Sequence, residues 1–531
     1  MNGKIFFSAL ILSFLALSFA NAQNIQFEDA NFKKTLLHDS YPYRIAATNV
    51  DGYTIEIDAN GDGEISQAEA LAVYSLTIIN HGGDYDITSM KEIEYFTNLT
   101  SLYLSAIKIE TLDLSKNINL QKLTLIGNSE LKTLDLSKNI NLWRLDLNDV
   151  EIESLDLSQN PNLQTLYLLS DGIKTLDVSK NINLQTLYLW SAGIKTLDVS
   201  KNINLQKLSL LNSGIKTIDL SKNINLQDLN LRENTDLKTL DLLKNINLQD
   251  LTLCDTQIET LDFSKNINLK TLFLWSTGIK TLYLLKNINL QDLTLCDTQI
   301  ETLDLSKNIN LQKLWFIQQF RPKIEILDLS KNINLQELWL RNTKIETLNV
   351  SKNIKLQSLK LENNDSLRTM DLSKNIKLQS LKLENNDSLQ TMDLPKSISL
   401  QTLHLDSPKI KTLDLSKNMN LQELRMFDNT EIKTLDVSHN TNLTNLVLHN
   451  CTGLISLYMK NGLKKTFVSN VVGGGVLYDF FYSTNLNYIC CDEDEINDVK
   501  EYIQKINESR AHDNIPYPLF NPVITSDCGN E

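Results

Sequence analysis

The sequence predicts a β-dominated solenoid of the α/β repeat class, with about 17 stacked turns and a different kind of chain at each end. Two observations predict this fold. The nine-residue run LDLSKNINL, or a close variant such as LDVSKNINL or MDLSKNIKL, returns every 21 or 22 residues. Within each repeat, leucines alternate with other residues, which is typical of strands that bury one face.

Each repeat opens with a leucine and follows the pattern LxxLxLxxNxIxxLDLSKNIN. The repeats start at Leu99, Leu120, Leu142, Leu163, Leu184, Leu205, Leu226, Leu248, Leu269, Leu290, Leu311, Leu335, Leu356, Leu378, Leu400, Leu421 and Leu443. The pattern resembles the leucine-rich repeat, in the short nested form found in secreted proteins of Bacteroidetes-type bacteria, with the internalins as a more distant likeness. The resemblance predicts a repeat domain over residues 99–463, flanked by caps over 23–98 and 464–531.

Both halves of a repeat carry an LxxLxL-like pattern, so both sides of each turn are predicted to be extended, with leucines in a shared core. One turn buries too little apolar surface to be stable, and stacked neighbours supply the rest. The asparagine of each SKN run, such as Asn139 or Asn181, is predicted to form an internal hydrogen-bonding ladder. The net charge of −14, without any basic stripe, argues against nucleic acid as a partner.

Residues 1–22 have the pattern of a secretion signal. Lys4 precedes an apolar run over 5–19, and Ala20-Asn21-Ala22 forms a small-residue cleavage site before Gln23. The run is too short to anchor the chain, and no later segment predicts membrane insertion. The sequence ends without the sorting module that the resemblance implies. We therefore expect a secreted, extracellular or cell-surface protein, with the periplasm as the alternative.

The N-terminal cap contains a complete 12-residue EF-hand-like loop over residues 58–69. Calcium takes six to eight oxygen ligands, and this spacing supplies them, with Gly63 permitting the sharp turn. The predicted ligands are Asp58, Asn60, Asp62, the Glu64 carbonyl, Ser66 and Glu69. The preceding segment is extended rather than helical, and a helix is predicted from 66 to 74. One structural Ca²⁺ is the expected cofactor, and an acidic turn without metal is the alternative.

The C-terminal cap is predicted to contain an amphipathic helix over 492–509, with acidic residues in its first turn. The run around Cys490 and Cys491, followed by Cys528, resembles the tail that closes related secreted repeat proteins. The resemblance implies a disulfide from Cys490 or Cys491 to Cys528, with Cys451 as a further candidate. The sequence leaves the connectivity open.

The first half of each repeat points two residues outward, and four of the five tryptophans fall in these two columns. Exposed aromatic rings beside arginine are typical of binding hot spots. An insertion at 317–323 marks the region 273–341 as the main candidate. The predicted ligand-binding residues are Tyr167, Tyr188, Trp190, Phe273, Trp275, Trp315, Phe320, Arg321, Trp339 and Arg341. The alternative is that the rings only cover the sheet by cross-strand pairing.

No catalytic constellation appears among the scattered histidines and repeated aspartates, so the sequence does not predict an enzyme. The favoured function is an adhesion or recognition scaffold that binds a protein partner through its concave strand face. A glycan-binding protein and a structural component of an envelope layer are the alternatives. The opposite half of each repeat, rich in Thr, Asp and Lys, is predicted to be a solubilising surface.

Overall fold

The computed structural model describes residues 23–37, 43–80, 86–190, 193–319, 324–396, 398–462, 485–512 and 521–529. The chain divides into two units, Met1–Asn266 and Ile267–Glu531. The predicted secretion signal over 1–22 lies outside the described residues.

The N-terminal unit contains helix α1 (Ala30–Leu37), helix α2 (Gln67–Ala72) and a 3₁₀ helix at Lys91–Tyr95. Its strands are β1 (Tyr43–Thr48), β2 (Thr54–Ile55), β3 (Ser75–Asn80), β4 (Ser101–Ser105), β5 (Lys122–Ile126), β6 (Arg144–Asn148), β7 (Thr165–Leu169), β8 (Thr186–Trp190), β9 (Lys207–Leu211), β10 (Asp228–Asn230) and β11 (Asp250–Cys254). Strand β1 pairs antiparallel with β2 and β3, and β3 pairs in parallel with β4. The parallel sheet therefore begins inside the predicted cap, one strand before the first repeat.

The C-terminal unit contains helix α3 (Ile496–His512), which follows a 3₁₀ turn at Glu493–Glu495. The strands on its first side are β12 (Thr271–Trp275), β13 (Asp292–Cys296), β14 (Lys313–Ile317), β15 (Glu337–Arg341), β17 (Ser358–Glu362), β19 (Ser380–Glu384), β21 (Thr402–Asp406), β22 (Glu423–Phe427) and β24 (Asn445–His449). Each pairs in parallel with the next, one strand per repeat. Inward leucines are buried and alternate with outward residues, as the period of two predicts.

The second side of the turns pairs less regularly than the first. Short strands occur there only at β16 (Thr347–Leu348), β18 (Thr369–Asp371), β20 (Thr391–Asp393), β23 (Thr434–Asp436), β25 (Ser456–Tyr458), β26 (Tyr488–Cys490) and β27 (Val523–Thr525) among the described residues. In the described part of the chain, most repeats therefore have no paired strand on the second side, a point that the prediction of an extended chain left open. There, buried leucines and asparagines make the contacts between turns, so the core stacks without a continuous backbone ladder.

The predicted asparagine ladder is confirmed. Asn181 is fully buried, and its Nδ2 donates to the carbonyl oxygens of Leu157 at 3.0 Å and Asn160 at 2.8 Å in the preceding turn. Asn202 bonds in the same way to Val178 and Asn181. Each buried amide thus joins two consecutive turns. The ladder therefore stabilises the stack by a similar amount at every turn.

The aspartate of each DLSKN run forms a turn with the serine two residues later. Asp177 accepts the backbone N–H of Ser179 at 2.8 Å, and this bond, with the serine hydroxyl, holds the pKa of the carboxyl below its usual value. The pKa is lowered in the same direction at Asp113, Asp135, Asp156, Asp198, Asp219, Asp262, Asp304, Asp328, Asp371 and Asp414.

These turns predict acid sensitivity. Because the folded-state pKa is lowered, their stabilising effect is present above the unfolded-state pKa of about 3.9 and is lost as the pH falls through the folded-state value. Asn349 occupies the same position and accepts the N–H of Ser351 without a titrating group. We therefore expect an Asp156→Asn/Asp177→Asn/Asp198→Asn variant to lose less melting temperature than the wild type between about pH 5 and pH 2.5. Equal losses in a thermal melt series would contradict this.

The C-terminal end is closed by helix α3 and a disulfide. Cys490, at the end of β26, is bonded to Cys528, and their Cα atoms are 5.6 Å apart. The other two candidates, Cys491 and Cys451, are also buried, but neither is bonded to Cys528. Strand β27 pairs with β26 and ends three residues before Cys528, which places the two bonded sulfurs at one end of the small sheet.

The predicted C-terminal helix is confirmed and runs on to His512. Asp492 caps it, because its side chain and that of Glu495 form a capping box. The same Asp492 carboxylate accepts the N–H groups of Asn461 at 3.1 Å and Gly462 at 2.9 Å. One side chain therefore begins the helix and also fixes it to the end of the repeats.

Candidate functional site

The predicted binding face exists as an outward row of side chains in the C-terminal unit. Strands β14 and β15 are in parallel register, which places Trp315 directly beside Trp339. The two ring centroids are 5.2 Å apart and the rings meet edge to face, a favourable aromatic geometry. Both rings are half-buried. The rings therefore pair across the strands, as expected if they only cover the sheet. They also keep part of their surface in contact with solvent.

Two lysines sit over these rings. Lys313 Nζ lies 3.5 Å from the centroid of Trp315, and Lys360 Nζ lies 4.6 Å from that of Trp339. Lys360 also pairs with Glu362, a carboxylate that is only 8% exposed and also lies 3.6 Å from Arg341. The predicted residue Arg341 is thus held in a network of rings, cations and one buried carboxylate.

Small side chains lie on the strand between Phe273 and Trp315. Phe273 and Trp275 lie on β12, and the register places Thr294 and Cys296 of β13 beside them, before Trp315 of β14. Thr294 is 5% exposed between Phe273 and Trp315, and Cys296 is 8% exposed between Trp275 and Ile317, because the larger neighbours cover both side chains. Burial raises the pKa of the Cys296 thiol to about 12, so it remains protonated. Trp275 remains 41% exposed beside them.

Beyond the aromatic part, the same face becomes charged in two rows. Lys382, His404 and Arg425 continue the row of Trp315 and Trp339. Burial lowers the pKa of His404, so the ring is predominantly neutral at pH 7.

Acids form the adjacent row. Burial, together with a hydrogen bond to the Glu362 carboxyl, raises the pKa of Glu384. Burial and the neighbouring Asp428 raise the pKa of Asp406 in the same way. The outward face of this unit therefore changes from aromatic to mixed charge along its length.

The N-terminal unit has a smaller aromatic cluster. The rings of Tyr167 and Tyr188, on β7 and β8, have centroids 5.7 Å apart. Arg144 lies over the Tyr167 ring at 5.2 Å and pairs with Asp146 at 2.9 Å. Trp190 is 48% exposed. Tyr167 and Tyr188 thus contact each other, and all three predicted residues belong to a different unit from the tryptophan pair.

The sequence prediction missed part of the face. Lys313 and Arg144 come immediately before the second leucine of the pattern, a position that was not counted among the outward columns. Lys313 lies over Trp315, two residues later on its own strand, whereas Arg144 reaches diagonally to Tyr167 on the next strand. The signal for both was their position two residues before an outward residue. The predicted residues Phe320 and Arg321 lie in 320–323, outside the described residues.

The calcium loop folds around its own acidic side chains. Glu69 is 2% exposed, and its carboxylate accepts the N–H groups of Ala59 at 3.0 Å and Ser66 at 2.9 Å. Asp58 accepts three further backbone N–H groups within the loop. Helix α2 begins immediately after Ser66, whose side chain forms a capping box with Glu69, which confirms the predicted exit helix.

The donor set of the loop fits calcium chemically, since all six predicted ligands present oxygen. Across the described ranges, however, no three His, Cys, Asp or Glu side chains are grouped so that they could hold a metal ion. Asn60 Nδ2 donates to Asp62 Oδ2 at 3.0 Å, a bond that an ion placed between these side chains would replace. The predicted calcium site therefore stays a prediction.

Comparison with known proteins gives a fold likeness. No family model and no curated protein matches the sequence. The functional domain of InlJ from Listeria monocytogenes is 23% identical, with a TM-score of 0.51, 79% of this chain and 81% of that chain covered. Toll, in the Toll–Spatzle complex from Drosophila, is 14% identical, with a TM-score of 0.52 and coverage of 79% and 62%. An internalin from the same Listeria species, InlF, is 20% identical, with a TM-score of 0.44 and coverage of 69% and 95%.

The fold is thus a leucine-rich repeat solenoid with internalin-type structural neighbours and repeats of about 21 residues. At these identities the likeness concerns the fold alone. Of the helices in the described part of the chain, none is long and apolar enough to cross a membrane.

Proposed function

We propose that this chain is a non-enzymatic binding scaffold that holds a protein partner on the outward face of its strand sheet. The observation that carries the proposal is the pair Trp315 and Trp339, half-buried on the outward face and flanked by Lys313 and Lys360. Tryptophan and arginine dominate the energy of protein interfaces, and a solvated sheet does not need them. The principal contact region is therefore the face from Phe273 to Arg341.

The charged part of the face favours a protein partner over a partner of uniform chemistry. The aromatic part continues into a cationic row, which begins at Lys360, and a parallel acidic row, which begins at Glu362. A partner that matches this face carries apolar, acidic and basic groups in separate places. Proteins present such mixed surfaces, and charge complementarity of this kind gives specificity and fast association.

The structural neighbours support the same proposal. Toll, whose fold likeness to this chain has a TM-score of 0.52, was solved in complex with the protein Spatzle. The disulfide between Cys490 and Cys528 supports an oxidising compartment, because such bonds persist in secreted proteins and are rare in the cytosol. We place the protein outside the cell or on its surface, with the periplasm as the alternative.

Capture from extracts of host or neighbouring cell surfaces tests the proposal. The full chain is used as bait beside a Trp315→Ala/Trp339→Ala variant and a Trp143→Ala control. Trp143 lies outside the strand face and also has a lysine over its ring, Lys122 at 5.0 Å. We expect the wild type and the control to capture the same protein and the double variant to lose it. Equal capture by all three would contradict the proposal.

Glycan binding is the second candidate. It is favoured by the exposure of Trp190 and Trp275, whose flat rings offer stacking surfaces. A glycan array distinguishes the two functions, because a glycan ligand binds without any protein in the sample. A purely structural role in an envelope layer would leave all variants equivalent in both assays.

We further propose that the loop over 58–69 binds one structural Ca²⁺ and orders the N-terminal cap. Ile65, inside the loop, is fully buried and its carbonyl accepts the N–H of Ile25 at 2.8 Å. Ordering of the loop would therefore fix the first residues of the cap to it. A single extracellular loop of this kind is expected to bind with a Kd of about 10⁻⁴ to 10⁻³ M.

Calorimetric titration of the full chain with CaCl₂ tests the calcium proposal. Glu69→Gln is expected to lose most of the binding heat, because it removes the bidentate carboxylate and keeps the length of the side chain. Glu64→Gln is the matched control. Its backbone carbonyl is the predicted ligand, and its side chain instead pairs with Lys33 at 2.6 Å. Similar losses in both variants, or no binding by the wild type at about 10 mM calcium, would refute the site.

A further inference from the structure

An exposed column of isoleucines follows the turns of the solenoid. In most repeats it is formed by the residue two positions before the opening leucine, which lies in the KNIN run or in one of its variants KNIK, KSIS and KNMN. In the C-terminal unit its members are between 47% and 56% exposed, and they are Ile267, Ile288, Ile309, Ile333, Ile354, Ile376, Ile398 and Met419. The N-terminal unit has the same column at Ile118, Ile140, Ile182, Ile203, Ile224 and Ile246. We call the first set the isoleucine stripe.

The local structure explains why these side chains point outward. Asn308 is fully buried and Leu311 is fully buried, so the turn between them must expose the intervening residues. Ile309 is 51% exposed there, and Asn310 donates to the carbonyl oxygen of Ile288 in the preceding turn at 3.0 Å. The same bond joins Asn289 to Ile267 and Asn334 to Ile309, so the first four members of the stripe are held one turn apart, and the later members continue the exposed apolar column.

The apolar character of the stripe persists where the surrounding sequence changes. In the run KSISL both asparagines are replaced by serine, while Ile398 stays. In KNMNL the isoleucine is replaced by Met419, which is also apolar, and the stripe stops at Thr441. Duplication of repeats alone would copy the asparagines together with the isoleucine. The apolar residue at this position is therefore kept independently of the asparagines around it.

The area of the stripe matches what an interface between two chains needs. At about 60 to 100 Å² of apolar surface for each half-exposed side chain, eight positions present on the order of 500 to 800 Å². Soluble monomers rarely expose contiguous apolar patches above about 300 to 600 Å². A stable interface buries about 800 Å² on each partner, which the stripe approaches with its flanking polar residues.

We propose that the isoleucine stripe is the interface through which two copies of this chain associate. A second copy has the same one-side-chain-per-turn period, so side chains of one ridge fit between those of the other along its whole length. A partner of any other period would lose this fit after a few turns. The stripe lies on the turns and not on the strand face, so the proposal goes beyond the binding of a protein ligand.

Sedimentation velocity of the full chain over a range of concentrations tests the proposal. The test variant is Ile309→Asp/Ile333→Asp, and the matched control is Tyr283→Asp/Ile326→Asp. The control replaces two apolar residues of the same unit that are even more exposed, at 73% and 82%, but that lie outside the stripe. We expect the wild type and the control to form dimers and the test variant to sediment as a monomer.

Circular dichroism melts confirm that each variant is folded. If the aspartates prevent folding, Ile309→Thr/Ile333→Thr keeps the branched shape and is expected to move the dimerisation midpoint to at least about tenfold higher protein concentration. A dimeric test variant would overturn the proposal. So would a monomeric wild type, and a monomer that floats with lipid vesicles would assign the stripe to a membrane surface instead.

Discussion

Replacement of Asn181 by alanine is expected to lower the free energy of unfolding by about 2 to 3 kcal/mol. The amide donates two buried hydrogen bonds to the preceding turn, and both carbonyl oxygens lose this bond in the variant. A small cavity also remains beside the packed leucines, which adds to the cost. Because each turn is stabilised mainly by its neighbours, the loss weakens the stack on both sides of the substitution.

The same turn provides the control. Asn183 donates to the carbonyl oxygen of Pro161 at 3.0 Å, but this bond is exposed to solvent. Water replaces the partner when Asn183 is changed to alanine, so we expect a loss of less than about 0.5 kcal/mol. Urea unfolding, monitored by circular dichroism, measures the loss of stability in both variants. If Asn181→Ala and Asn183→Ala had similar effects, the buried ladder would not be a principal source of stability.

Replacement of Trp339 by alanine is expected to weaken binding of the captured partner by about 30-fold or more, which corresponds to about 2 kcal/mol or more. Its ring fills the space between Trp315 and Lys360, and its removal leaves the Lys360 ammonium without an aromatic neighbour. Most of this loss should appear as faster dissociation, as is usual for interface substitutions.

The control for Trp339→Ala is Trp143→Ala. Both tryptophans are half-buried and both lie beneath a lysine, but Trp143 is outside the strand face. Isothermal titration of each variant with the purified partner gives the two affinities. A comparable loss in both variants would assign the effect to general destabilisation and would contradict a contact at Trp339.

Much of the fold could be predicted from the sequence because the same pattern of buried and exposed residues recurs in every repeat. The period fixes which leucines point inward, and it assigns Asn139 and Asn181 to one column, where a buried amide must find carbonyl partners. The helices after Ser66 and Asp492 were predictable because each begins at a capping residue followed three positions later by glutamate.

Other features depend on register and neighbours that one repeat does not contain. Cys490 and Cys491 are adjacent and both buried, and only the pairing of β26 with β27 decides which of them faces Cys528. The prediction of an extended second side did not say which turns pair there through the backbone, and in most repeats side-chain contacts stack the turns instead.

In the candidate site, too, some features follow from the repeat pattern and others depend on neighbouring side chains. The outward position of Trp315 and Trp339 follows from alternation along a strand, and their contact follows from adjacent repeats. The position of Lys313 over a ring depends on side-chain length and direction, which the period does not contain. The exposed isoleucine column was not predicted, although its exposure follows from the buried residues on either side.

Hydroxyl-radical footprinting of the captured complex tests the central claim most directly, because it measures which side chains the partner covers. We expect Trp315, Trp339 and Trp275 to be protected relative to the free chain, and Trp143 and Ile326 to react equally in both. Unchanged reactivity of Trp315 and Trp339, with protection elsewhere on the chain, would contradict recognition through the strand face.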